Sequence, residues 1–182
     1  MAQVEDTLIL DLFRDEKTRN TALGHLIGKY QQRLYWHIRK IVIDHDDSDD
    51  VLQNTFIKIW KGLENFKGES QLYTWIYRIA TNEALTLLRQ KQKMQTSSIH
   101  PIEYELGKNL ESDSYFTGDE IQLKLQQAIL TLPEKQRLVF NMRYYDEMPY
   151  EQMSQVLDTS VGALKASYHI AAKKIEEFLV KT

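Results

Sequence analysis

The 182-residue chain carries 23 Lys and Arg against 26 Asp and Glu, a formal charge of −3, with 42% hydrophobic residues and no cysteine. The missing cysteine excludes a disulfide framework and a cysteine zinc site, and suits a reducing cytoplasm. The N-terminal stretch MAQVEDTLILDLFRDEK has no basic segment leading into an apolar run, and no stretch approaches the ~20 apolar residues that span a bilayer, so a cytoplasmic protein is expected.

The charge is unevenly spread. Residues 44–50 (DHDDSDD) hold five Asp and no cation, and residues 96–120 hold six carboxylates against Lys108. Removing both segments leaves the remainder at +7, so a nucleic-acid partner is compatible with the acidic total.

Residues 5–42 show the three-and-four spacing of helices in Leu8, Leu12, Leu23, Leu26, Ile27, Tyr30, Leu34, Ile38 and Ile41, with a break near 18–21. Residues 44–50 read as a polar connection in which Asp47 or Ser48 caps the next helix, which extends to about Leu63. Residues 64–70 (ENFKGES) are a loop broken at Gly68, and a long helix follows over about 70–92. The stretch 94–118 is Ser/Thr-rich, acidic and aperiodic, as a tether with little structure of its own would be. A second helical block starts near Asp119, with Pro133 and Pro149 suited to first helical positions and a turn at 144–148. Strand-like alternation and internal repeats are absent. The expectation is an all-α chain of two small helical domains, 1–95 and 119–182, joined by a flexible acidic linker, 96–118.

Residues 149–157 make a short helix, Asp158-Thr159 a tight connection, and Ser160 caps a long helix: the spacing of a helix-turn-helix. Val161, Leu164, Tyr168, Ala171, Ile175 and Phe178 line one face of the long helix. The opposite face is small and bare, with Gly162, Ala166, His169, Ile170 and Lys173, and Lys165 at its edge. Small residues permit close approach to a major groove. There Lys165 would reach a phosphate or a base, His169 and Lys173 would follow the backbone, and Ala166 and Ile170 would meet thymine methyl groups. The plainer reading is the dull outer face of a helical bundle.

The run Leu132-Pro-Glu-Lys-Gln-Arg137, then Tyr150-Glu151, then Ser160-Val-Gly162 with Lys165, resembles region four of bacterial RNA polymerase sigma factors of the extracytoplasmic-function group. The resemblance implies a domain that binds the minus-thirty-five promoter element and sits on the flap of the polymerase beta subunit. Ser160 and Gly162 join the DNA-facing set on that basis. Relatives often carry Arg where this chain has Ser167 and Ile170, which lowers the expected number of phosphate contacts by one or two.

The stretch from Asp49 to Gln92 resembles region two of the same family, and the resemblance covers the whole of residues 22–92. In its first helix, Val51, Leu52, Thr55, Phe56 and Ile59 form a buried stripe, while Asp49, Asp50, Gln53, Asn54 and Lys61 stay wet. The resemblance implies docking on the coiled coil of the polymerase beta-prime subunit, with Asp50 and Gln53, and Asn54 beside them, facing its arginines. Without it, a capping Asp and a solvated Gln suffice. In the next helix Trp75, Ile76 and Ile79 read as core. Tyr73 and Tyr77 share a face one turn apart near cations, an arrangement that suits stacking on a single strand. The resemblance implies that this helix and the loop 65–70 hold the melted minus-ten element with a flipped base. Asn82, Glu69 and Gln71 would then read base edges, and Lys67, Arg78, Arg89, Lys91 and Lys93 would hold backbone. The acidic linker suits either a nucleic-acid mimic in a basic polymerase channel or a self-repelling tether.

The DHDDSDD cluster fails as a calcium loop, because Asp49 stands where Gly is needed and Thr55 where Glu is needed. The five histidines (25, 37, 45, 100, 169) form no catalytic or metal grouping, so no enzyme activity and no cofactor is expected. The leading expectation is a promoter-specificity subunit whose partners are polymerase core, promoter DNA and an anti-sigma factor. The rivals are a stand-alone helix-turn-helix regulator and a helical adaptor.

Overall fold

The computed structural model describes residues 5–94, 107, 110 and 120–181, and among these it is built from helices and their connections. Helix α1 (Asp6–Arg14) packs on α2 (Arg19–Val42) through Ile9 and Phe13. The two are also tied by polar contacts: Asp6 accepts from the Tyr30 hydroxyl at 2.6 Å and from Lys29 at 2.8 Å. Burial, then the Asp6 hydrogen bond and charge, push the Tyr30 phenol far up. The break between α1 and α2 falls at 15–18, slightly before the expected 18–21.

Helix α2 ends in a strained turn. Ile43 adopts φ 64°, a region that β-branched residues seldom enter, and the Asp44 N–H reaches back to the Val42 carbonyl at 2.8 Å. The turn is held because the Ile43 side chain is fully buried. It also brings Asp44 to the start of α3 (His45–Gly62), where the Asp44 carboxylate accepts from the Asp47 N–H at 3.0 Å. The cap is thus Asp44, neither Asp47 nor Ser48, and most of the expected polar connection is the first turn of the helix. Ser48 is buried and donates to the Asp44 carbonyl.

A 3-10 turn (Leu63–Asn65) opens the expected loop, which then runs to α4 (Leu72–Met94). Gly68 takes φ 72° there, a conformation that glycine adopts without steric cost. Helices α2, α3 and α4 pack mutually around Leu34, Ile38, Ile59, Ile76, Ala80 and Ala84. Trp75, expected as core, is only partly buried at the rim, against Phe66 (centroids 5.1 Å).

The second block comprises α5 (Glu120–Leu130), α6 (Glu134–Tyr144), α7 (Tyr150–Leu157) and α8 (Val161–Lys181). Pro133 and Pro149 sit one place earlier than expected, at the N-caps of α6 and α7. Asp158 closes α7 in the left-handed region at φ 50°, and Ser160 caps α8 through the Ala163 N–H at 3.3 Å. Ala128, Ile129, Leu132, Phe140, Ala171 and Ile175 form a small core of this block alone.

The two blocks pack against each other. Helix α7 lies along α4, and α6 meets α2. Leu138, Val139, Met142, Met148, Met153, Val156 and Leu164 belong to the same core as the first block. The expectation of a structureless stretch over 94–118 falls mostly outside the described residues. Met94 ends α4, and Gly107 and Leu110 are helical, with Leu110 fully buried in the shared core.

Candidate nucleic-acid interface

Two exposed surfaces gather most of the residues singled out in the sequence. The first surrounds a cleft of about 650 Å³ between the loop after α3 and helix α7. Lys67, Glu69 and Arg78 converge on it beside Asn65 and Trp75, and Ser154, Gln155 and Asp158 form the opposite wall. The Thr74 hydroxyl, on the same cleft, is buried without a hydrogen-bond partner. The cleft therefore offers cations, an anion, an amide and an aromatic ring within one concavity. Gln71 is hydrogen bonded across the seam to Gln152 at 3.1 Å.

Beyond the cleft, Arg78, Asn82, Thr86 and Arg89 recur along α4 at three- and four-residue steps, and all are exposed. Lys91 is instead engaged by Asp47 of α3. The tyrosines separate. Tyr73 is half-buried, whereas Tyr77 is only 2% exposed and lies under the second block, 4.4 Å from the Tyr73 ring and 4.8 Å from that of His37. Burial raises both phenols, Tyr77 the more strongly. In this arrangement Tyr77 cannot stack on a base.

The second surface is the outer face of α8. Ser160, Gly162, Lys165, Ala166, His169, Ile170 and Lys173 are all exposed. The bare face seen in the sequence is thus an open face, backed by Leu164, Ala171 and Ile175 in the cores. The Lys165 ammonium rests 5.7 Å from the centre of the Tyr150 ring, with Arg143 on the same ring at 5.2 Å.

A third face lies on α3. Asp50, Gln53 and Asn54 are exposed, and Ile57, 44% exposed, stands among them one turn on. Sequence reasoning passed over Ile57, although its spacing from Gln53 and Asn54 places it on their face. It also passed over Asp146, which carries no periodic signal because it lies in a turn. Asp146 accepts from Lys40 at 2.9 Å and pairs with His37 Nδ1 at 2.7 Å, and His37 Nε2 meets the Thr81 hydroxyl at 2.8 Å. Thr81 donates its single proton to the Tyr77 carbonyl at 2.7 Å. Its oxygen is thereby left to accept from His37 Nε2. Burial pushes the Asp146 carboxyl up, but the charges and hydrogen bonds of His37 and Lys40 outweigh it and hold the group below the usual carboxylate range.

Residues 26–94 match the family model described as Sigma-70 region 2, and residues 122–175 the one described as Sigma-70, region 4. The RNA polymerase sigma-H factor of Pseudomonas aeruginosa is 30% identical over 187 aligned positions, which span 98% of this chain and 96% of that protein. The chain belongs to the sigma-70 family of RNA polymerase sigma factors. The ECF RNA polymerase sigma-E factor of Escherichia coli K12 is 29% identical, covering 96% of this chain and 94% of its own, which agrees with the extracytoplasmic-function group. Two solved structures share the fold. One is CnrH in complex with the cytosolic domain of CnrY (TM-score 0.70, 21% identity, 96% of each chain). The other is the sigma factor RpoE of Bartonella quintana in complex with the anti-sigma factor NepR (TM-score 0.68, 20% identity, 86% of this chain and 95% of that one). This sigma factor directs RNA polymerase to promoters and initiates transcription. No helix among its described residues is long and apolar enough to cross a membrane.

Proposed function

We propose that this sigma factor acts in the cytoplasm without catalysis of its own, and that its two DNA surfaces are the region 2 side of the cleft with the outer face of α4, and the outer face of α8. The first would take the melted minus-ten strand. Lys67, Arg78 and Arg89 hold phosphates there, while Glu69 and Asn82 read base edges. Tyr73, and Tyr77 once uncovered, stack on bases. The second would enter the major groove of the minus-thirty-five element, with Lys165 and Lys173 on phosphate and Ser160, Gly162, Ala166 and His169 along the approach. The α3 face of Asp50, Gln53, Asn54 and Ile57 would dock on the beta-prime coiled coil, an apolar contact set among charge-assisted hydrogen bonds. The region 4 block would sit on the beta flap. The solved RpoE structure, bound to an anti-sigma factor, supports an anti-sigma partner for this chain as well.

The observation that carries this reading is the convergence of Lys67, Glu69 and Arg78 on one cleft that continues into the exposed Arg78–Asn82–Arg89 face of α4. Reconstitution with core polymerase tests it. The protein plus core enzyme should give start-site-specific transcripts where neither alone does. Lys165→Ala should weaken binding of the holoenzyme to the upstream duplex and reduce the salt slope by about one. Tight binding of the isolated protein to promoter duplex at physiological salt, with no affinity for core enzyme, would favour a stand-alone regulator instead.

A further inference from the structure

The contact between the two blocks contains a buried charged cluster, drawn from segments 106 and 109 residues apart in sequence. Asp146 belongs to the turn between α6 and α7, while its partners His37 and Lys40 belong to α2. The Asp146 side chain is 5% exposed and that of His37 1%. Both side chains that bond this carboxylate among the described residues, His37 and Lys40, come from the first block. Next to it, the Lys40 ammonium lies 4.9 Å from the centre of the Tyr145 ring, and the Lys40 carbonyl accepts from Asn141 at 3.3 Å.

The cluster sits where the second block covers the strand surface of the first. With Asp146 engaged, α7 lies along α4 and supplies one wall of the cleft, and Tyr77 is buried beside the turn, its ring against His37. The Gln152–Gln71 bond ties the same two elements at the loop. A strand could not lie along the first half of α4 and reach Tyr77 without displacing α7.

We propose that Asp146, clamped between His37 and Lys40, is a latch by which the free sigma factor holds its own region 4 over the strand-binding surface of region 2. The inhibitory meaning of the latch rests on the assignment of that surface under Proposed function. Release exposes Tyr77 and frees the region 2 side of the cleft together, so opening and competence for strand capture are one event. A charged cluster suits such a switch better than an all-apolar seam. Its separated groups regain water on opening, and removing one partner leaves the others costly to keep buried.

The chain's lack of cysteine makes the test direct. Labels attached at N20C on α2 and E176C on α8, both exposed positions, report the separation of the blocks along a urea titration, while circular dichroism follows helix content. The unmodified protein should hold one narrow distribution of label separations until high urea. D146N should weaken closing at least tenfold, seen as label separation at lower urea and ahead of helix loss. The pair H37N/K40Q, which leaves Asp146 in place, should do the same from the other side and decides the matter if D146N does not fold. Separation at unchanged urea in both variants, or a broad distribution of separations already present in the parent protein without urea, overturns the latch. Affinity for a fluorescent single-stranded DNA is read in parallel and should rise several-fold in the opened variants. Opening without that rise leaves the latch standing and refutes the strand surface.

Discussion

Asp44 shows how much one side chain among five similar ones can decide. In the sequence the aspartates of DHDDSDD are interchangeable candidates for a cap, and the pattern of apolar residues points to Asp47 or Ser48. What selects Asp44 is the turn at Ile43, whose φ of 64° aims the next residue across the first turn of α3. Such a conformation costs roughly 1–3 kcal/mol and gives no signature in the residue types, because isoleucine is a poor candidate for it. Burial of the Ile43 side chain is of similar size and offsets it. Asp47 is left to pair with Lys91 of α4. Asp44→Ala should therefore destabilise the protein by about 1 kcal/mol, the usual cost of a lost cap, measured by urea unfolding. Asp46→Ala and Asp49→Ala, at exposed positions, should change stability by less than about half that.

At the scale of elements, helical periodicity was readable and the rims of the helices were not. The stripe Val51, Leu52, Thr55, Ile59 faces inward as its spacing requires, and Ile76 reaches the centre of the core. Trp75, one residue before Ile76, points to the rim, where it fills the slot that Gly62 leaves at the end of α3. A Cβ on Gly62 would lie 2.9 Å from Cζ2 and 3.1 Å from Cη2 of the indole. A fused ring cannot bend away, so the whole side chain must swing. Trp75 and Phe66 both line the cleft, so displacement of the indole carries into the loop 65–70. Gly62→Ala should consequently move one of the three resonances in a ¹⁹F spectrum of the fluorotryptophan-labelled protein, that of Trp75, and leave those of Trp36 and Trp60 in place. Single-strand binding should fall several-fold, with binding of duplex by α8 unchanged. An unmoved Trp75 signal would mean that the slot is wider than the geometry indicates.

For the molecule as a whole, the sequence contains both blocks and the order in which they come, but not how they meet. His37 lies on a helix whose spacing explains it as one more inward residue, and Asp146 in a turn where an acidic residue needs no explanation. Only their pairing across 109 positions reveals a function. The pairing has a pH signature whose sign follows from the Asp146 carboxyl. That group is held below its ordinary value in the folded protein, so its contribution to closure is complete above the ordinary carboxylate range and is lost as pH falls through the lowered value. The groups around it are His37, Lys40 and Arg33 from α2, Tyr73 and Tyr77 from α4, and Tyr145 and Glu147 from the turn. Glu147 is exposed and is common to the parent protein and D146N, so it cancels in their difference. The gap between the two proteins in the urea concentration that separates the blocks should accordingly be constant from neutral pH down to the ordinary carboxylate range and close below it. A gap that persists unchanged at the lowest pH at which the helices survive would show that the asparagine acts through packing, and that the charge of Asp146 does not hold the blocks together.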